Sequence, residues 1–357
     1  MSENPLLVGL AAYGMSGKVF HGPLLKAHPG FRVAKIVERS TERSRADFPD
    51  AVRVKSWDEV TADPAITLAV VNTPNAYHYD MCRQALEAGK HVVVEKPFTV
   101  TADEGRRLMD LAKQKKRLLT VFQNRRWDGD FLTVQQMVQN GLLGQLVEYE
   151  AHYDRFRNYV EANTWKEETG PGSGILYNLG SHLIDQALVL FGMPQAVTAE
   201  LRTQRPGGTI DDSCHLLLHY ENLRVTLKSG YLVREPGPRY ILHGTEGTFL
   251  KWGLDPQEDA LKAGRSPLEP GWGTEPEGEW GHLNTQLGGL HYKGRVETLP
   301  GDYGFFYANV HSAIVNGTPL AVPAEEALQT IRLIEAAYES HAQRKTVLAG
   351  RIENPEL

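Results

Sequence analysis

The octapeptide His91-Val92-Val93-Val94-Glu95-Lys96-Pro97-Phe98 constrains the fold of this chain most tightly. Three consecutive valines suit a strand covered on both faces, because a parallel strand inside a sheet needs no polar alternation. Glu95-Lys96 ends the apolar run where the strand leaves the sheet, and Pro97 blocks a simple continuation. Open α/β sheets bind ligands beyond the carboxyl ends of their strands, so Lys96 stands where it can act on a substrate. A lysine that merely caps a strand in solvent fits the octapeptide equally well.

The preceding chain repeats the pattern of strand, turn and helix. Leu6 to Ala12 is apolar, Tyr13-Gly14-Met15-Ser16-Gly17 is a tight turn, and Lys18 to Ala27 carries helical spacing with an irregular start at Pro23. The dinucleotide fingerprint Gly-x-Gly-x-x-Gly is met here as Ala12-x-Gly14-x-x-Gly17. Alanine at the first position excludes backbone angles open only to glycine. Gly14 would let the backbone approach a pyrophosphate, and Gly17 would permit close packing of helix on sheet. A second strand, Arg32 to Val37, ends at Glu38-Arg39-Ser40. An acidic residue there binds the adenosine ribose of NAD, whereas arginine accommodates the extra phosphate of NADP. Both types are present, so NAD and NADP both stay open, with a slight lean to NADP from Arg39 and Ser40.

Short strands at Val52–Val54, 66–71, 91–95 and 118–122 alternate with helices near 57–60, 76–88 and after Thr101. Thr101-x-x-Glu104 is a capping box, and Gly89 stops the helix before it. Such alternation predicts a doubly wound parallel sheet.

From Leu146 the pattern changes. Val147, Tyr149, Ala151 and Tyr153 alternate with Glu148, Glu150, His152 and Asp154, as in a strand with one buried and one polar face. Further strands are expected at 196–203, 213–220, 223–231 and 240–243, spaced as an antiparallel meander. Residues 253–289 lack periodicity and read as long loops, followed by helices through Val315 and over 324–343. His215 and His219 would be about 13 Å apart on a strand, too far for one metal, so no metal site is expected. The domain boundary falls near 125–145. Arg155 and Arg157 either reach a hydroxylated substrate or stand as solvated charges.

With 357 residues the chain has room for two domains, and 41% hydrophobic residues can bury a substantial core. A formal charge of −6 offers no basic excess for nucleic acid. Cys82 and Cys214 are the only cysteines, which excludes a disulfide framework and a cysteine zinc site. Met1 to Pro5 has no signal-peptide pattern, and no apolar run is long enough to span a bilayer. A soluble protein of a reducing, cytoplasmic compartment is expected.

Asn72-Thr73-Pro74 with His78, Glu95-Lys96-Pro97 and Asn124-Arg125-Arg126 together resemble the glucose–fructose oxidoreductase/inositol dehydrogenase (Gfo/Idh/MocA) family, over roughly Leu6 to Tyr338. The resemblance is nearest to its bacterial sugar and polyol dehydrogenases, NADP-dependent scyllo-inositol dehydrogenases among them. It implies an α/β fold, with an N-terminal Rossmann doubly wound parallel sheet and a C-terminal α+β domain bearing a large open, mostly antiparallel sheet. The dinucleotide domain would cover 1–125. A substrate-binding and oligomerisation domain would cover 126–357, its last helix free to pack back on the first. It further implies an NAD(P)-dependent oxidoreductase moving hydride to or from a carbinol carbon of a sugar, inositol or related polyol. Lys96 matches the family's substrate-contacting lysine and His182 its catalytic histidine. Asn178 stands where the family usually has aspartate; an amide can orient a hydroxyl but cannot carry charge. Asn178 and His182, four apart at the start of a helix, would share a face, near a positive end that keeps the imidazole neutral.

The expected dinucleotide contacts are Ala12, Tyr13, Gly14, Met15, Glu38, Arg39, Ser40, Thr73, Pro74, Asn75, His78, Glu95, Lys96 and Asn124. The expected substrate contacts are Lys96, Arg155, Asn178 and His182. A homodimer or homotetramer is expected from the open face of the second sheet. Two other functions fit these residues: a cofactor-binding sensor without turnover, and a nicotinamide-dependent glycosidase.

Overall fold

The structure, a computed structural model, describes residues 5–162 and 164–350. Met1 to Asn4, read above for a signal peptide, lie outside the described residues. The chain divides into two units. The first runs to Asp128 and takes in Asp255–Thr274 and Pro300–Leu328; the second holds Gly129–Leu254, Glu275–Leu299 and the chain from Gln329 on. The first crossing falls between Asp128 and Gly129, and two later segments return to the first unit. The opening turn of the final helix, Ala324–Gln343, belongs to the first unit as well.

The first unit is built on six parallel strands: β1 Leu6–Leu10, β2 Phe31–Val37, β3 Val52–Val54, β4 Leu68–Val71, β5 His91–Val94 and β6 Leu119–Val121. Their order is β3-β2-β1-β4-β5-β6, so strand order reverses between β1 and β4, where an open α/β sheet forms its ligand crevice. β4 is buried at all four positions and β5 at its three valines, as strands covered on both faces must be. Thr101 and Glu104 form the reciprocal capping box of helix Ala102–Lys115. After β1 the chain makes a π-helical segment, Gly17–His21, before the α-helix Gly22–Ala27, with Pro23 in its first turn.

The second unit holds nine strands: β7 Leu146–Asp154, β8 Ala196–Arg202, β9 Ser213–His219, β10 Arg224–Gly230, β11 Tyr240–Gly244, β12 Gly247–Lys251, β13 Gly281–Leu287, β14 Leu290–Val296 and β15 Val347–Leu348. Their order is β14-β13-β12-β11-β7-β10-β9-β8-β15. The meander expectation fails at one place: β10 pairs with β7 in parallel, from Arg224 opposite Glu148 to Gly230 opposite Asp154. β7 is therefore central, and its buried Tyr149 and Tyr153 meet Phe191 and His182 of helix Ser181–Phe191, the second helix of a pair with Gly129–Gln139. Tyr240 Oη donates to Gln186 Oε1 at 2.9 Å, fastening the second of these helices to the sheet.

The long-loop reading of 253–289 is also corrected. It contains helix Gln257–Lys262, and β13 with β14 forms a hairpin turned at Gly288-Gly289. Both turn glycines have positive φ (57° and 84°), which suits a two-residue hairpin turn. Among the described residues, no helix is long and apolar enough to cross a membrane, and no group of three His, Cys, Asp or Glu could hold a metal.

Candidate active site

Three turns lie at the carboxyl ends of the adjacent strands β1, β4 and β5, and hydrogen bonds join them. Ala11 N–H donates to the Val70 carbonyl at 2.9 Å, and Glu95 N–H donates to that of Val71 at 2.9 Å. Asn72 makes a two-way clasp with Ala12: its Oδ1 accepts from Ala12 N–H at 3.0 Å and its Nδ2 donates to the Ala12 carbonyl at 2.9 Å. Alanine is tolerated at the first fingerprint position because Ala12 does not adopt a positive φ. Gly17 is required sterically, since a β-carbon there would stand 2.5 Å from the Ala12 oxygen and 2.8 Å from Asn72 Nδ2.

This turn can hold a dinucleotide. A β-carbon on Gly14 would meet nothing within 4 Å, which leaves its backbone open to a ligand. The Thr73 hydroxyl is buried with no partner among the described residues, the kind of group a bound molecule satisfies. Pro74 is half-buried, Asn75 and Asn124 are buried, and Met15 is exposed. Tyr13 is buried and donates to Asp47 Oδ2 at 2.7 Å, tying the turn to the loop after β2.

Two residues expected to face the dinucleotide are committed elsewhere. The Glu38 carboxylate, only 4% exposed, accepts from Thr41 Oγ1, Arg43 N–H, and the N–H and Oγ of Ser44, at 2.5–3.2 Å. Burial pushes its pKa up, but the bonds from Ser44, Thr41 and Arg43 outweigh it and hold the carboxyl below its ordinary value. Glu38 thus organises its own loop, while Arg39 and Ser40 are left exposed. His78 is fully buried, with one ring nitrogen 2.9 Å from the Pro97 carbonyl and the other 2.9 Å from that of Thr73. It fixes the Thr73 turn to the Lys96–Pro97 turn, whose peptide bond is cis.

Lys96 is half-buried beside Glu95. Glu95 Oε2 accepts from Lys96 N–H at 3.1 Å and Oε1 lies 3.0 Å from His21 Nε2. Burial raises the Glu95 pKa, yet the hydrogen bond from His21 and the neighbouring charges lower it further, so the net direction is down.

The second unit gathers Asn178 and His182 with Arg155. Asn178 lies in a second π-helical segment, Leu176–Gly180, and His182 follows in helix Ser181–Phe191. Because helical bonding already begins with Asn178 N–H on the Gly174 carbonyl, His182 is not in a first turn. The terminus potential expected to act on it is confined to that first turn, so this part of the reading is corrected. Its ring stacks on Tyr153, centroids 6.4 Å apart and planes 26° apart. Arg155 lies over the Tyr153 ring, 5.4 Å from its centroid, and Arg239 lies 4.6 Å from it. Asn178 Nδ2 donates to Tyr231 Oη at 3.3 Å.

Asn72 belongs to the Asn72-Thr73-Pro74 motif, but its clasp on Ala12 was not legible in the sequence. His21, Tyr153 and Tyr231, which contact candidate site residues, carry no local signature.

Residues 6–123 match the Gfo/Idh/MocA oxidoreductase family's NAD-binding Rossmann fold, and residues 135–348 match its C-terminal alpha/beta domain. The scyllo-inositol 2-dehydrogenase (NADP(+)) IolW of Bacillus subtilis is 44% identical over 341 residues, covering 96% of this chain and 95% of that protein. The levoglucosan dehydrogenase of Pseudarthrobacter phenanthrenivorans is 26% identical over 69% of this chain and 73% of that protein. Among solved structures, the oxidoreductase YvaA of Bacillus subtilis superposes with a TM-score of 0.94 at 43% identity, covering 98% of this chain and 99% of that one.

Proposed function

Because the chain belongs to the Gfo/Idh/MocA oxidoreductase family, we propose that it interconverts a secondary alcohol and a ketone of an inositol or closely related polyol, with NADP as preferred dinucleotide. The observation that carries this reading is Lys96 at the carboxyl end of β5, in a turn fastened through His78 to the Thr73 turn of β4. The first unit serves the dinucleotide, and the second contributes Asn178, His182 and Arg155 to the substrate.

When bound, the nicotinamide supplies the hydride donor and acceptor. Gly14 and its turn leave room for the pyrophosphate, and the Thr73 hydroxyl offers an unspent hydrogen bond. With the Glu38 carboxylate occupied by its own loop, it does not oppose a 2′-phosphate, and the exposed Arg39 and Ser40 bind one in this reading.

An alcohol that becomes a ketone must lose its hydroxyl proton, so a group within hydrogen-bond reach of that oxygen is required. Lys96 and His182 handle this proton. Asn178 orients the hydroxyl through its amide, and Arg155 binds a neighbouring hydroxyl. A homodimer or homotetramer and a cytoplasmic location complete the reading; the buried free thiols of Cys82 and Cys214 suit a reducing compartment. Calorimetric binding of NADP and NAD, followed by turnover with a panel of inositols, tests it.

A further inference from the structure

Behind Lys96 the first unit buries a continuous run of polar groups. Tyr307 Oη lies 2.7 Å from His21 Nδ1, His21 Nε2 lies 3.0 Å from Glu95 Oε1, and Glu95 Oε2 accepts from Lys96 N–H at 3.1 Å. His21 and Tyr307 are both 0% exposed. Their surroundings are aromatic: the Phe122 centroid is 4.5 Å from that of His21, and Phe306 is 5.0 Å from Phe122. A carboxylate set among such groups is costly unless donors meet it.

The direction of each hydrogen bond follows from the chemistry. Burial, and then the Glu95 charge, pushes the Tyr307 phenol well above its ordinary value, so its hydroxyl keeps its proton and donates to Nδ1. The imidazole proton is then on Nε2 and is donated to Glu95. His21 closes the π-helical segment that follows the dinucleotide turn, a device that recurs at functional sites.

We propose that His21 is a positioning residue for Lys96: by donating to Glu95 it keeps that carboxylate ionised and fixed on the Lys96 amide, so that the lysine presents an ammonium group to the substrate oxygen. This rests on the role assigned to Lys96 above. The groups facing Glu95 are His21 from the first helical segment, His78 from the helix after β4, and Lys96; Tyr307 faces His21 from helix Gly304–Asn316. Neither His78 nor Tyr307 replaces the His21 donor: His78 has both ring nitrogens on carbonyls, and the Tyr307 hydroxyl is directed to His21. Without that donor the Glu95 pKa rises, and the negative charge that favours the ammonium form of Lys96 is weakened.

The test is trace acetylation with acetic anhydride across a pH series, reading the Lys96 peptide by mass spectrometry in the full-length protein. His21→Phe lowers the Lys96 titration midpoint by about one pH unit and moves the pH–rate profile the same way. It reduces kcat for ketone reduction, the direction in which the ammonium donates the proton, about tenfold or more and leaves the dinucleotide Kd unchanged. His21→Gln, whose amide can donate to Glu95 and accept from Tyr307, restores both midpoint and rate. Tyr307→Phe, which removes only the support of His21, shifts the midpoint in the same direction by less, and it decides the matter if His21→Phe does not fold. An unmoved Lys96 midpoint in a folded His21→Phe or Tyr307→Phe protein overturns the proposal, as does a Gln variant no better than Phe. A parent that binds dinucleotide and titrates as described, yet turns over no polyol, overturns the dehydrogenase reading instead.

Discussion

Asn178 Nδ2 donates to the hydroxyl of Tyr231 at 3.3 Å, and the Tyr231 ring lies beneath the Arg205 guanidinium, 4.6 Å from its carbon. Arg205 is itself held at 0% side-chain exposure by Glu167 and Asp212, so the tyrosine has a rigid backing. The Asn178 amide is thus oriented by a phenol. Asn178→Ala and Tyr231→Phe should each lower kcat/KM about tenfold, and the double variant should lose much less than the product. A coupling of about 1 kcal/mol in the cycle is the expected readout, since the two groups share one hydrogen bond.

The turn that carries Lys96 is held by Glu95, which accepts from the Lys96 amide, and by His78 on the Pro97 carbonyl. Lys96→Ala is therefore expected to lower kcat by about 1,000-fold or more, while NADP binding changes little. Parallel calorimetry and steady-state rates check this. Equal loss of binding and turnover would make the lysine a structural residue.

Cofactor choice separates Glu38 from Arg39. Arg39→Ala should raise KM for NADP about tenfold and barely alter KM for NAD, because the exposed guanidinium has only the 2′-phosphate to bind. Glu38→Gln should act mainly on stability, costing about 2 kcal/mol in urea unfolding, since it weakens charge-assisted hydrogen bonds from Thr41, Arg43 and Ser44.

Stability should fall with acid through His91. Burial, then the nearby Arg117 charge, lowers its pKa from 6.5 to about 4, and its Nδ1 accepts from Leu118 N–H at 3.0 Å. The unfolded chain binds the proton first, so stability is intact above pH 6.5 and is lost as pH falls toward 4. The loss should be on the order of 2 kcal/mol, and His91→Gln should flatten that part of the profile. Urea midpoints measured across the interval check the slope.

The first sheet was legible because its strands are continuous apolar runs closed by turn residues, as at Val92-Val93-Val94, and because Thr101 with Glu104 marks a helix start. The hairpin β13–β14 was not, because its outer strand is almost wholly exposed and carries no apolar alternation; Gly288-Gly289 was its only local mark. Pairing order also escaped the sequence: nothing in Arg224–Gly230 announces a parallel partner on one side and an antiparallel one on the other. In the site, the residue types at the turns were legible and their commitments were not. Glu38 and His78 look like ligand-facing groups until their hydrogen bonds are seen. His21 and Tyr307 meet across 286 positions of chain, which no local pattern records.

The most direct test of the account follows the absorbance of reduced nicotinamide while the purified protein meets scyllo-inositol, other inositols and aldoses with NADP or NAD. The account predicts reduction with at least one cyclitol, faster with NADP, and none in the Lys96→Ala protein. Dinucleotide binding without turnover of any polyol, or equal turnover after the lysine is removed, would contradict it.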